Sequence, residues 1–176
     1  MTAQRVGLDS QCLSYLIDAA SAVSEPTDPL ADQRKALLRA WFYGPGRFFV
    51  SETVLSECAR IRGTDRRQLH ESFGAITYWG LPVRDAGAVA RREAEFARLH
   101  PKASDCRILA EAEDLVLDTL LTYDAQLVKR LSSVSPTVTL ATPMSFWLGL
   151  GIPRGTSPHS IPHATNPLSG QSWWRW

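Results

Sequence analysis

Residues 100–127 read "HPKASDCRILAEAEDLVLDTLLTYDAQL". A run of helical spacing passes into a short apolar stretch and then into helical spacing again. Ile108, Leu109 and Ala112 recur on one face of the first part, "DTLLTY" suits a buried strand, and "AQLVKRL" starts a new helix. Two acids frame this unit. Asp105 falls on the apolar stripe of the first helix, and Asp124 stands where the strand stops. An acid at such a place is either a capping device or a member of a site, because an unpartnered buried charge is costly.

Outward from this unit the alternation continues in both directions. "RVGLD" reads as a first strand ending at Asp9, and "SQCLSYLIDAASAV" as a helix with Cys12, Leu13, Leu16, Ile17 and Ala20 at helical spacing. "SEPTDP" interrupts. "LADQRKALLRAWFYG" is a second helix, stopped by Gly44-Pro45-Gly46. "RFFV" is a second strand, after which Ser51 opens the helix "ETVLSECARIRG" and Thr64-Asp65 opens "TDRRQLHESFGAITYW". "GLPVR" is a third strand weakened by Pro82. "AGAVARREAEFARLH" is an amphipathic helix, and the strand "TVTLA" and the helix "PMSFWLGL" close the series. Strands alternating with helices predict an α/β fold with a mostly parallel sheet covered on both faces. The expected folded domain is residues 1–150. Residues 151–176, rich in Pro, Ser, Gly and Thr, are expected as a flexible tail ending in "WWRW".

A chain of 176 residues suits one domain. The net charge of +1 advertises no strong nucleic-acid field and excludes none. No apolar run reaches the roughly 18 residues a membrane span needs, and "MTAQRVGLDS" has no signal-peptide core, so a cytoplasmic protein without membrane contact is expected. Cys12, Cys58 and Cys106 are odd in number with no C-x-x-C pair, which argues for buried filler over disulfides or structural zinc. His70, His100, His159 and His163 match no nucleophile elbow and no H-E-x-x-H spacing, and no P-loop motif occurs.

The acids gain meaning jointly. Asp9 and Asp124 end predicted strands, Glu57 shares a helix face with Val54 and Ile61, and Asp105 opens the helix leading to the next strand. Singly, Asp9 and Asp124 read as helix caps and Asp105 as a first-turn acid favoured by the helix dipole. In an open parallel sheet, however, sites form beyond the carboxyl ends of the strands where strand order reverses. Carboxylates gathered there repel unless a cation shares them. Oxygen donors of this kind suit Mg²⁺ or Mn²⁺.

Four segments, "VGLDSQCLSYLID", "FFVSETVLSECARIR", "KASDCRILAEAE" and "TLLTYDAQL", taken in this order with the closing "TPMSFW", resemble the successive motifs of PIN-domain nucleases, including the VapC-type ribonuclease toxins. The resemblance covers about residues 5–150. It implies a three-layer α/β/α sandwich, metal-dependent cleavage of RNA, and an acidic site of Asp9, Glu57, Asp105 and Asp124, with Ser10 and Thr122 in support. It also implies an antitoxin partner and, together with the aromatic run Trp41-Phe42-Tyr43, a homodimer. Two positions depart from the pattern: Ser10-Gln11 stands where Thr-Asn is common, and Gln126 where many members hold a further acid.

The chemistry expected is phosphodiester hydrolysis, with the ion lowering the pKa of a bound water and neutralising phosphate charge. Arg60, Arg62, Lys102 and Arg107 are the candidate phosphate contacts, weighed against a plain solvated rim. A catalytically silent PIN-like module that binds RNA or acts as a scaffold is one rival. A ribonuclease-H-like enzyme is another, but such a fold opens with a strand meander, whereas a helix follows the first strand here.

Overall fold

The computed structural model describes residues 4–22, 24–77 and 79–176. Five short strands form one sheet: β1 (Arg5–Leu8), β2 (Arg47–Val50), β3 (Trp79–Gly80), β4 (Thr119–Leu121) and β5 (Thr139–Ala141). Their order is β3-β2-β1-β4-β5, and every neighbouring pair is parallel. Helices α1 (Ser10–Ala20), α2 (Ala31–Tyr43), α3 (Glu52–Ala59), α4 (Thr64–Thr77), α5 (Ala86–Ala97), α6 (Ala103–Asp114), α7 (Ala125–Leu131) and α8 (Pro143–Gly149) flank it in the expected three-layer α/β/α arrangement. Val23 and Tyr78, included in two expected helices, lie outside the described residues, as do residues 1–3 of the N-terminal stretch.

The chain winds outward from β1 through β2 to β3, then returns to the other side of β1 for β4 and β5. Strand order therefore reverses beside β1, and the crevice this creates lies beyond the carboxyl ends of β1 and β4. Those two strands are in register at Leu8 and Leu121, so the residues that follow them leave the sheet side by side. The strands are apolar without alternation, as burial on both faces requires: Val6, Leu8, Leu120 and Leu121 are all buried. A Cβ at Gly7 would stand 2.8 Å from Leu117 Cδ1, so that side chain would have to shift to admit one.

The third strand differs from expectation. It covers Trp79 and Gly80, and Leu81 adds one bond to the Val50 carbonyl before Pro82 interrupts the ladder. The next three amides turn to carboxylates instead. Val83 donates to Glu52, and Arg84 and Asp85 both donate to Asp114.

Residues 151–176 are not the flexible tail expected from their composition. Leu168 and Trp174 are fully buried, and Trp174 donates its indole N–H to the Leu168 carbonyl at 3.1 Å. The segment docks on the carboxyl ends of α1 and α2, where four carbonyls of any helix lack internal partners. The Asn166 side chain donates to Ala20, and the His159 amide donates to Phe42. The Trp176 amide reaches the Tyr43 hydroxyl, and Arg39 holds the Trp173 and Trp174 carbonyls. Aromatic area provides the burial that composition alone did not reveal. The same contacts cover two of the three residues in the aromatic run expected to favour a homodimer. Phe42 and Tyr43 are buried, with Trp174 packed against both rings, and Trp41 is half-buried.

Cys12 and Cys106 are buried and free, and Cys58 is free and half-buried. Burial pushes the Cys12 thiol well above its ordinary range and Cys58 up to about 11, which keeps both as neutral filler.

Candidate metal centre

Asp9 leaves β1 and caps α1. Its amide donates to the Leu121 carbonyl, and its carboxylate accepts the Cys12 amide at 2.6 Å. Burial pushes the Asp9 carboxyl above its ordinary range. Hydrogen bonds from Thr122 and Cys12 oppose that rise, and the nearby charge of Asp105 adds to it. Asp124 caps α7 in the same way, accepting the Gln126 and Leu127 amides at 2.8 and 3.1 Å. Capping and site membership thus coexist in both residues. The cap bond fixes the rotamer that aims the second oxygen into the crevice.

Thr122 sits between these two acids. It is fully buried, its hydroxyl accepts the Asp124 amide at 3.0 Å, and its side chain hydrogen-bonds Asp9. Glu57 arrives from α3 and accepts the Ser10 hydroxyl. Asp105 comes from the first turn of α6. The four acids line one cavity of ≈ 190 Å³, together with Ser10, Gln11, Lys102 and Ile108. A second cavity of ≈ 200 Å³ shares Ser10, Gln11 and Glu57 and continues over Ser14, Tyr15, Cys58 and Ile61.

Lys102 is the cationic residue of this lining. Its ammonium lies 2.5 Å from Asp124 Oδ2 and 3.5 Å from Asp105 Oδ2. That ammonium is the first cause holding the Asp124 carboxyl below its ordinary range, aided by the amides of Leu127 and Gln126. The other expected phosphate contacts lie elsewhere. Arg60 and Arg62 are exposed at and beyond the end of α3, and neither is in the cavity lining. Arg107 corrects the expectation more firmly. It bonds Glu111 at 2.9 Å and Glu93 at 3.1 Å, so its guanidinium is occupied within the α5–α6 layer.

Two residues of the surroundings were not singled out from the sequence. Glu111 is buried and accepts both the amide and the hydroxyl of Thr53, at 3.1 and 2.7 Å, as well as Arg107. It ties the start of α3, which carries Glu57, to α6, which carries Asp105. Its spacing from Asp105 (six residues) gave a faint signal, an acid among the apolar positions of that helix. His100 is buried, and its Nε2 lies 3.3 Å from Asp105 Oδ2. One donor atom each from His100, Asp105 and Asp124 fall within 4.8 Å of one another. Donor atoms gathered at that spacing could hold a divalent metal ion in place of the Lys102 ammonium.

Comparison with known proteins gives a fold likeness. The chain is similar to a chain of the crystal structure of VapBC2 from Rickettsia felis bound to a DNA fragment from their promoter. Identity is 13%, the TM-score is 0.52, and the match covers 79% of this chain and 98% of that one. No family model and no curated protein matches the sequence.

Proposed function

We propose that this chain is a metal-dependent endoribonuclease, using Mg²⁺ or Mn²⁺, and that it is the toxin of a toxin–antitoxin pair. The observation that carries the reading is the convergence of Asp9, Glu57, Asp105 and Asp124 on one cavity from four different elements at the strand-order reversal. The fold likeness to a chain of a VapBC2 complex, and the ordered motifs resembling VapC-type toxins, support the antitoxin partner.

Asp9, Asp105 and Asp124 would hold the ion. When bound, a divalent ion lowers the pKa of a coordinated water and offsets charge on the phosphate. Glu57, which accepts the Ser10 hydroxyl, would bind the ion or orient the attacking water and take its proton. The water oxygen would bond to phosphorus as the phosphorus–ribose oxygen bond breaks, and the leaving oxygen would take a proton from solvent. Thr122 sets the spacing of Asp9 and Asp124. The adjoining cavity with Tyr15 offers a nucleobase an apolar surface beside the acids. Among the described residues no helix is long and apolar enough to cross a membrane. Self-association rests on the family resemblance and on the half-buried Trp41, and sedimentation velocity at micromolar concentration tests it.

The test is cleavage of RNA by the purified full chain. Activity is expected with Mg²⁺ or Mn²⁺, not in EDTA, and not in Asp105→Asn or Asp124→Asn. RNA binding without cleavage under any divalent ion would favour the silent PIN-like module instead.

A further inference from the structure

Among the described residues, His100 faces the acid cavity from a buried position. Its side chain is 2% exposed, its Nε2 edge is turned to Asp105, and its Nδ1 is buried with no hydrogen-bond partner. A buried imidazole that satisfies neither nitrogen well is unusual, because buried polar atoms are ordinarily paired. The 3.3 Å contact to Asp105 is long, and the other nitrogen has nothing.

The position becomes intelligible around a cation. His100 Nε2, an Asp105 oxygen and an Asp124 oxygen lie within 4.8 Å of one another, a spread that one ion at roughly 2.0–2.2 Å from each donor can close with small side-chain movements. The Lys102 ammonium already reaches both carboxylates, which marks where positive charge belongs. We infer that His100 is a nitrogen ligand of the metal in this site, so that the ion is held by a mixed nitrogen and oxygen set and Mn²⁺ is preferred over Mg²⁺. Imidazole suits transition-metal ions, whereas Mg²⁺ favours oxygen donors. Coordination through Nε2 places the ring proton on Nδ1. Asp9 then completes the carboxylate ligands, and Glu57 lines the same cavity.

The inference rests on the metal-dependent reading above, but its readout is binding, not cleavage. Mn²⁺ is titrated into untagged full-length protein and examined by pulsed electron paramagnetic resonance. A directly bound imidazole nitrogen gives a hyperfine coupling that carboxylates and water do not. The coupling is expected in the wild type and absent in His100→Gln, with Mn²⁺ affinity falling roughly 10-fold or more and the Mn²⁺ to Mg²⁺ affinity ratio falling with it. The chain has four histidines, so a His70→Gln, His159→Gln, His163→Gln variant leaves His100 alone to supply the signal even if His100→Gln fails to fold. Mn²⁺ bound without nitrogen coupling overturns this inference and leaves the nuclease reading standing. Coupling that survives His100→Gln, or disappears in the triple variant, overturns it equally. No Mn²⁺ binding at all overturns both.

Discussion

Lys102 Nζ stands 2.5 Å from Asp124 Oδ2, close enough that the chain supplies its own cation to the acid cavity. Asp124 is held below its ordinary carboxyl range and Lys102 above its ordinary amine range, each by the other first. The pair is therefore charged across neutral pH. Its contribution is lost as pH falls through the lowered Asp124 value and as pH rises through the raised Lys102 value. Lys102 is 60% exposed, and an exposed pair contributes only about 0–1 kcal/mol. Lys102→Ala should thus leave thermal stability nearly unchanged. A metal ion must displace the ammonium, so the variant should bind Mn²⁺ more tightly, by up to about five-fold on the same energy scale. On the proposed function RNA affinity should fall, because the released ammonium would then contact phosphate. Calorimetric titration of metal and filter binding of RNA check the two opposite directions. A matched fall in both affinities would place Lys102 outside this role.

Asp9 gives a prediction of the other sign. Burial raises its carboxyl above the unfolded value of 3.8, so the folded state binds the proton more tightly. Stability associated with this group is greatest at low pH and falls as pH rises from 3.8 through the raised value, after which it is level. Asn keeps the helix cap, since both residues accept the N-terminal amide, and removes the titration. In EDTA, Asp9→Asn should melt at or above the wild type at pH 7, with the difference shrinking toward pH 3, while RNA cleavage is lost. Melting curves at four or five pH values test it. A variant less stable at every pH would show the cap, not the charge, to dominate.

The parts of this fold that repeat a period were legible without coordinates. β1, β2 and β4 are short apolar runs, α1 and α6 have apolar stripes at helical spacing, and the acids at the ends of β1 and β4 followed from where those runs stop. What failed depended on contacts far apart in sequence. Trp174 sits 132 residues from Phe42, and no local pattern in a Pro- and Ser-rich segment announces that the two rings will stack at 4.6 Å. Arg107 looked available because it lies near Asp105, but a helix turns about 100° per residue and points it at Glu111 and Glu93 instead. His100 precedes its helix by three residues and fits no histidine motif, so nothing local announces its approach to Asp105.

Glu111 should matter to both stability and activity. Removing its carboxylate leaves the Thr53 hydroxyl and Arg107 short of a buried acceptor, a loss of about 1–3 kcal/mol. Glu111→Ala is expected to lower the unfolding free energy by that amount, seen as a lower denaturant midpoint, and to reduce cleavage, since α3 then carries Glu57 without its anchor to α6. Glu111→Gln keeps an acceptor for Thr53 and should recover part of both. An unchanged midpoint for Glu111→Ala would mean the network is dispensable.

The C-terminal segment should prove structural, not dispensable. Trp174 is fully buried, packs on Phe42 at 4.6 Å between ring centroids, and spends its indole N–H on Leu168. Truncation of such a buried aromatic to Ala typically costs about 3–5 kcal/mol, through lost transfer energy and an unfilled cavity. A cost of that size is a large share of the stability a domain of this length possesses. Removing residues 151–176 strips Leu168, Trp174 and Trp176 together and uncovers Phe42, Tyr43 and Trp147, an apolar surface that invites association. Trp174→Ala is therefore expected to lower the urea midpoint strongly while leaving the acid cavity intact, so that RNA cleavage per folded molecule is retained at low temperature. The truncated chain is expected to be poorly soluble. Equilibrium denaturation followed by circular dichroism measures the first, and the soluble fraction on expression measures the second. A truncated chain that is monomeric, soluble and as stable as the full one would show that the tryptophans decorate the α1–α2 face without supporting it.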